Sequence, residues 1–151
     1  MNRPRYLLIL LSSSILSGAC NSDVPESAVM ESPRFGLRVA VTRVATHPFL
    51  ARYNLKVRIE RRDGCVAVSD LFPDTGRAGR RNLYRSGSGT VLVVGQFDAR
   101  VLREDRCMIE LVEFRHLEQG GTFLGTFDLD EQKRWRFLPP DVRPEQPFEK
   151  S

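Results

Sequence analysis

Apolar residues recur at every second position from Phe35 through Leu37 and Val39 to Val41, with Gly36, Arg38, Ala40 and Thr42 between them. A period of two sends successive side chains to opposite faces, so this stretch can bury one face only as a β-strand. Leu55, Val57 and Ile59 repeat the pattern against Asn54, Lys56, Arg58 and Glu60, and Asp63-Gly64 then turns the chain into 65–69. Segments 82–85 and 90–94 flank the turn Ser86-Gly87-Ser88-Gly89 as a hairpin. Segments 99–103 and 107–114 flank Glu104-Asp105-Arg106 in the same way. Phe123, Gly125, Phe127 and Leu129 continue the alternation, and the acidic turn 128–131 leads on to Trp135 and Phe137.

Segment 106–119 admits two readings. As a strand it completes the second hairpin; as a helix it starts from Asp105 as N-cap, stops at Gly120, and gathers Cys107, Met108, Leu111, Val112 and Phe114 on one face. The strand is the better fit to its neighbours. About seven or eight short strands at roughly 8–12-residue spacing predict an all-β domain, either an antiparallel sandwich or a partly open barrel.

The ends of the chain follow different rules. Residues 1–19 carry Arg3 and Arg5, an apolar run over 6–16 and the small residues Ser17-Gly18-Ala19, the three parts of a secretory signal. The run is too short to span a bilayer, which takes roughly 20 apolar residues. Leu16-Ser17-Gly18-Ala19-Cys20 resembles the lipobox of bacterial lipoproteins, although Ser17 stands where that family prefers an apolar residue. The resemblance implies acylation of Cys20, a membrane partner through the lipid, and, with Asn21 rather than Asp after the cysteine, an outer-membrane location facing the periplasm. Ser17 and Ala19 also suit an ordinary signal peptidase, which would release a soluble protein with a free Cys20. Residues 20–33 are polar with two prolines and read as a flexible tether, 34–138 as the folded domain, and 139–151 as a proline-rich tail.

With Cys20 assigned to the lipid, Cys65 and Cys107 remain as an even pair in an oxidising compartment, which predicts one disulfide. Losing Arg3 and Arg5 with the signal lowers 23 basic residues to 21 against 19 acids, so the formal charge falls from +4 to about +2. Export and so small a net charge make nucleic acid a poor partner, and none is expected.

Catalytic and metal-binding patterns are missing from the sequence. Ser88 lacks the spacing of a nucleophile elbow, no glycine-rich phosphate loop occurs, and His47 and His116 stand in unrelated contexts. Asp128, Asp130 and Glu131 lack the loop pattern of a calcium site and read as a solvated turn. The expectation is a non-enzyme with no cofactor and no metal. Segment 73–85 is the strongest binding candidate: Arg77, Arg80, Arg81 and Arg85 lie among two glycines, with Tyr84 available for stacking. Guanidinium forks on a loop suit carboxylate or phosphate groups. These residues point to a non-catalytic, lipid-anchored envelope protein that binds a protein or a polyanionic envelope component. The alternative is a soluble periplasmic enzyme inhibitor or immunity-type protein.

Overall fold

The computed structural model describes residues 24–76, 78–113 and 120–148, and over them the chain is all-β. Its strands are β1 (Glu26–Ser32), β2 (Leu37–Ala45), β3 (Tyr53–Arg61), β4 (Val66–Asp74), β5 (Arg81–Ser86), β6 (Val91–Val94), β7 (Ala99–Arg103), β8 (Met108–Val112), β9 (Gly121–Leu129) and β10 (Trp135–Leu138). Two antiparallel sheets result, one ordered β1-β2-β3-β4 and the other β10-β9-β5-β6-β7-β8. They pack as a sandwich rather than a closed barrel, with β1 beside β10 at one corner and β4 beside β8 at the other.

Register keeps the apolar rows aligned. Met30 pairs with Val39, Val39 with Ile59 and Ile59 with Ala67, while Ala28, Val41 and Val57 form the next row. These buried residues meet Leu83, Val91, Val93, Leu102, Phe127 and Trp135 of the larger sheet. Full burial of each such aliphatic or aromatic side chain is worth roughly 1.5–3 kcal/mol, which is why the alternation decides the fold. Trp135 also ties the sheets directly, its indole N–H donating to the Val41 carbonyl at 2.8 Å. On the solvent face of the smaller sheet, Arg38 bridges Glu31 and Glu60, and Lys56 pairs with Asp70. The Arg58 hydrogen bond holds the Glu60 carboxyl below its usual range. Exposed pairs of this kind contribute little each, and they absorb much of the basic excess.

Cys65 and Cys107 form the expected disulfide, which staples the start of β4 to the start of β8 across the sandwich corner. Segment 108–112 is strand, not helix, because its partner β7 supplies a full ladder from Arg103↔Met108 to Ala99↔Val112. Residues 114–119 lie outside the described residues.

Three expectations need correction. Ten strands replace the seven or eight expected. The supposed tether of 20–33 contains β1: Ala28 and Met30 turn inward, and Pro25 and Pro33 bound the strand without interrupting it. Only two inward apolar residues flanked by serines and glutamates leave too short an alternation to recognise. The tail 139–151 is not separate from the domain over its described part. The larger sheet is apolar on both faces, and Phe148 closes a second cluster with Tyr84, Leu92, Val94, Ala99 and Val101 on the outer one.

Gly125 sits at the β5–β9 irregularity with φ 139°, and a Cβ there would stand 2.5 Å from Phe137 Cζ and 2.6 Å from the Leu138 carbonyl oxygen. Gly125→Ala is therefore expected to cost about 2 kcal/mol through overpacking and backbone strain. Chemical denaturation with an unchanged midpoint would show that β10 can shift to make room.

Candidate functional site

Strand alternation disperses the arginine-rich segment. Arg80 precedes β5, residues 81, 83 and 85 of that strand turn into the sandwich, and 82 and 84 turn to the outer face. Arg77 lies outside the described residues, as does Cys20. The expectation of a flexible, solvent-facing loop is overturned for Arg81 and Tyr84, which are 1% and 0% exposed.

Arg81 instead organises the backbone around it. One terminal nitrogen donates to the carbonyls of Ala78, Gly79 and Arg80, and the other to the Phe72 carbonyl. Its counter-charge is Asp98, 3.6 Å away and equally buried, whose other oxygen accepts the Phe72 N–H at 2.9 Å and approaches Arg100. Desolvation pushes the Arg81 pKa down, and the Asp98 and Asp74 charges oppose that shift. The guanidinium and carboxylate thus complete the unpaired edge of β4 at Phe72 and latch it to the larger sheet. Gly95 makes the room, since a Cβ at that position would lie 2.7 Å from Arg81 Nε.

Tyr84 belongs to the strap formed by the tail. Its hydroxyl donates to Glu145 at 2.9 Å and accepts from Asn82, which also donates to the Gln146 carbonyl. Arg85 stacks on Phe35 at 4.4 Å, near the β1–β2 turn. Four residues of extended strand, roughly 13 Å, part it from Arg81.

Only Arg80 of the described arginines in this segment remains at a concave surface. A cleft of about 550 Å³ opens at the end of the sandwich that carries the β2–β3, β4–β5 and β9–β10 turns, and Arg80 forms one wall. Its guanidinium lies 4.2 Å over the Phe148 ring and donates to Gln146 at 2.9 Å. Opposite it, Arg43 is held between the rings of Tyr53 and Trp135, at 4.4 and 5.1 Å, and is neutralised by Glu26 at 2.7 Å. Asp128 is neutralised by Arg143. Asp74 spends one oxygen on the N–H groups of Gly76 and Ala78, at 2.8 and 2.9 Å. Lys133, in the left-handed conformation with φ 61°, completes the lining. Arg80 and Lys133 are the lining cations that form no ion pair with a carboxylate among the described residues.

The sequence reading missed Arg43 and Lys133. Arg43 occupies the next inward position after Leu37, Val39 and Val41, and a charge at that position was the available signal. Lys133 closes the turn read as solvated. Asp130 organises that turn by accepting from the Gln132 and Arg134 N–H groups, and the Arg134 backbone bond is the chief reason its carboxyl lies below the usual range.

Among the described residues no group of three or more His, Cys, Asp or Glu could hold a metal ion, and no helix is long and apolar enough to cross a membrane. Comparison with protein-family models, with curated proteins and with solved structures finds no match to this chain.

Proposed function

We propose that this protein is a non-catalytic, lipid-anchored protein of the bacterial cell envelope that binds an acidic group of an envelope partner in the cleft beside Arg80. The observation that carries the binding half is the pair Arg80 and Lys133, two cations without carboxylate partners among the described residues, facing a polar cleft with aromatic walls. Stacking on Phe148 and the Gln146 bond hold the Arg80 fork in place before any ligand arrives, which limits the entropy lost on binding. The anchoring half is supported by the signal and lipobox-like residues that end at Cys20.

Arg80→Ser together with Lys133→Ser is expected to weaken retention on a sulfated dextran matrix roughly thirtyfold at low salt, since each charge-assisted contact contributes on the order of 1 kcal/mol at a partly exposed site. Equal retention of variant and native protein across a salt series would remove the cleft from consideration. The same chain with Cys20→Ala should lose fatty-acid labelling. An inhibitor of an envelope enzyme is the second reading; stoichiometric co-purification of a lytic enzyme with the unlipidated chain would favour it.

A further inference from the structure

The β2–β3 turn is the one place where the described surface carries large apolar side chains on a built tip beside the start of the chain. Phe49 is 86% exposed and Leu50 47%, and they share a groove of about 350 Å³ with Val24, itself 58% exposed. The tip is held rather than loose. His47 Nδ1 accepts the N–H groups of Phe49 and Leu50, each at 3.1 Å, and Thr46 N–H donates to the Arg52 carbonyl at 2.9 Å. A hydrogen-bonded turn that holds a phenylalanine in water exposes apolar surface at a standing cost, which a bilayer interface would remove.

The position of the chain start names the occupant. β1 begins at Glu26, so the tether is far shorter than the polar composition of 20–33 suggested. Val24 is four residue steps on from Cys20, and even fully extended these reach about 14 Å. An acyl group on Cys20 therefore brings Val24, and the Phe49 tip that shares its groove, to the surface of the leaflet that holds the lipid. Other features of this end agree. Exposed Phe97 stacks on Phe72 at 5.2 Å, and exposed Arg52 follows the tip. The cleft shares Ala51 and Tyr53 with the groove, so Arg80 and Lys133 belong to the same end. At the opposite end the β3–β4 and β7–β8 turns carry the charged runs Arg62-Asp63-Gly64 and Glu104-Asp105-Arg106, with the less exposed Val66 and Met108 beside them and Phe35 covered by Arg85.

We propose that the 46–52 turn is a membrane-docking element that seats Phe49 and Leu50 in the leaflet carrying the Cys20 lipid and so sets the orientation of the sandwich on the membrane. The inference rests on the anchoring half of the function proposed above. A lipid chain alone leaves the domain free to swivel, whereas a second, apolar contact in the groove that Val24 shares fixes one end downward.

Phe49→Trp in the full chain, purified with its processed N-terminus and incorporated into phosphatidylethanolamine and phosphatidylglycerol vesicles with brominated acyl chains, tests the contact. The native chain is the control, because its single tryptophan, Trp135, is 4% exposed inside the sandwich. The added indole should shift to the blue and lose about half its emission to the bromines, with Trp135 unaffected. Mass spectrometry of the Cys20 peptide from the same sample separates the two readings. An acylated chain whose added indole stays solvent-like and unquenched overturns docking and leaves anchoring intact. A blue shift that grows with protein concentration in the absence of vesicles means that a second copy covers the tip, and also overturns it. A Cys20 peptide without acyl mass overturns the anchoring and the docking built upon it.

Discussion

Asp98→Ala is expected to destabilise the protein by about 3–5 kcal/mol, the usual effect of removing one partner from a buried ion pair, and to lower Tm by more than about 10 °C. The loss has two sources. Arg81, 1% exposed, keeps its charge with its buried counter-charge gone, and the Phe72 N–H loses its side-chain acceptor at the edge of β4. The pair is not ideal, because Arg81 Nε and Asp98 Oδ1 have no hydrogen-bond partner among the described residues. Arg81→Met combined with Asp98→Leu should accordingly cost less than the two single changes added together, and a double-mutant cycle on thermal unfolding would read the coupling. If Asp98→Ala melts within about 2 °C of the native protein, the pair is not the latch described above.

Removing the Cys65–Cys107 disulfide is expected to cost about 4 kcal/mol, from the chain-entropy model applied to a sequence separation of 42 residues. Cys65 and Cys107 also pack against the core, so replacement of both by Ser adds a small burial penalty. Equilibrium denaturation with and without reductant measures the effect, and coincident midpoints would sink the prediction. The two predictions concern the same strand. β4 is an edge strand fastened to the larger sheet by the disulfide at its start and by Arg81 and Asp98 near its end. Seven residues of strand, roughly 23 Å, separate Cys65 from Phe72, so the two losses should be close to additive.

The strands that carried a long alternation were legible because burial of one face demands it. Leu37 to Val41 and Leu55 to Ile59 read correctly as strands, while Phe35 and Gly36 of the same alternation fall in the β1–β2 turn; the hairpin over 82–94 forms as expected, with Asn82 paired to Val94 and Arg85 to Val91. β1 was not legible, since its two inward residues produce less pattern than its flanking prolines and serines conceal. The arginine-rich candidate was dispersed for a related reason. Composition counted arginines in a window, whereas a strand sorts them by parity: Arg81 went inward, Tyr84 outward beneath the tail, and Arg85 to the far end of the strand. Arg80 alone of the described arginines in that window stayed at a cleft, whose lining it shares with Lys133 from a turn more than fifty residues away.

From the chain alone follow the all-β class, the pairing of Cys65 with Cys107, and the expectation of export, because each rests on residues close in sequence or few enough to count. Which sheet each strand joins, how the tail covers a second apolar face, and which cations share a cleft were decided only in three dimensions. Those outcomes depend on contacts between segments far apart in the chain, such as Arg80 with Phe148 and Arg43 with Trp135, and no local period encodes them.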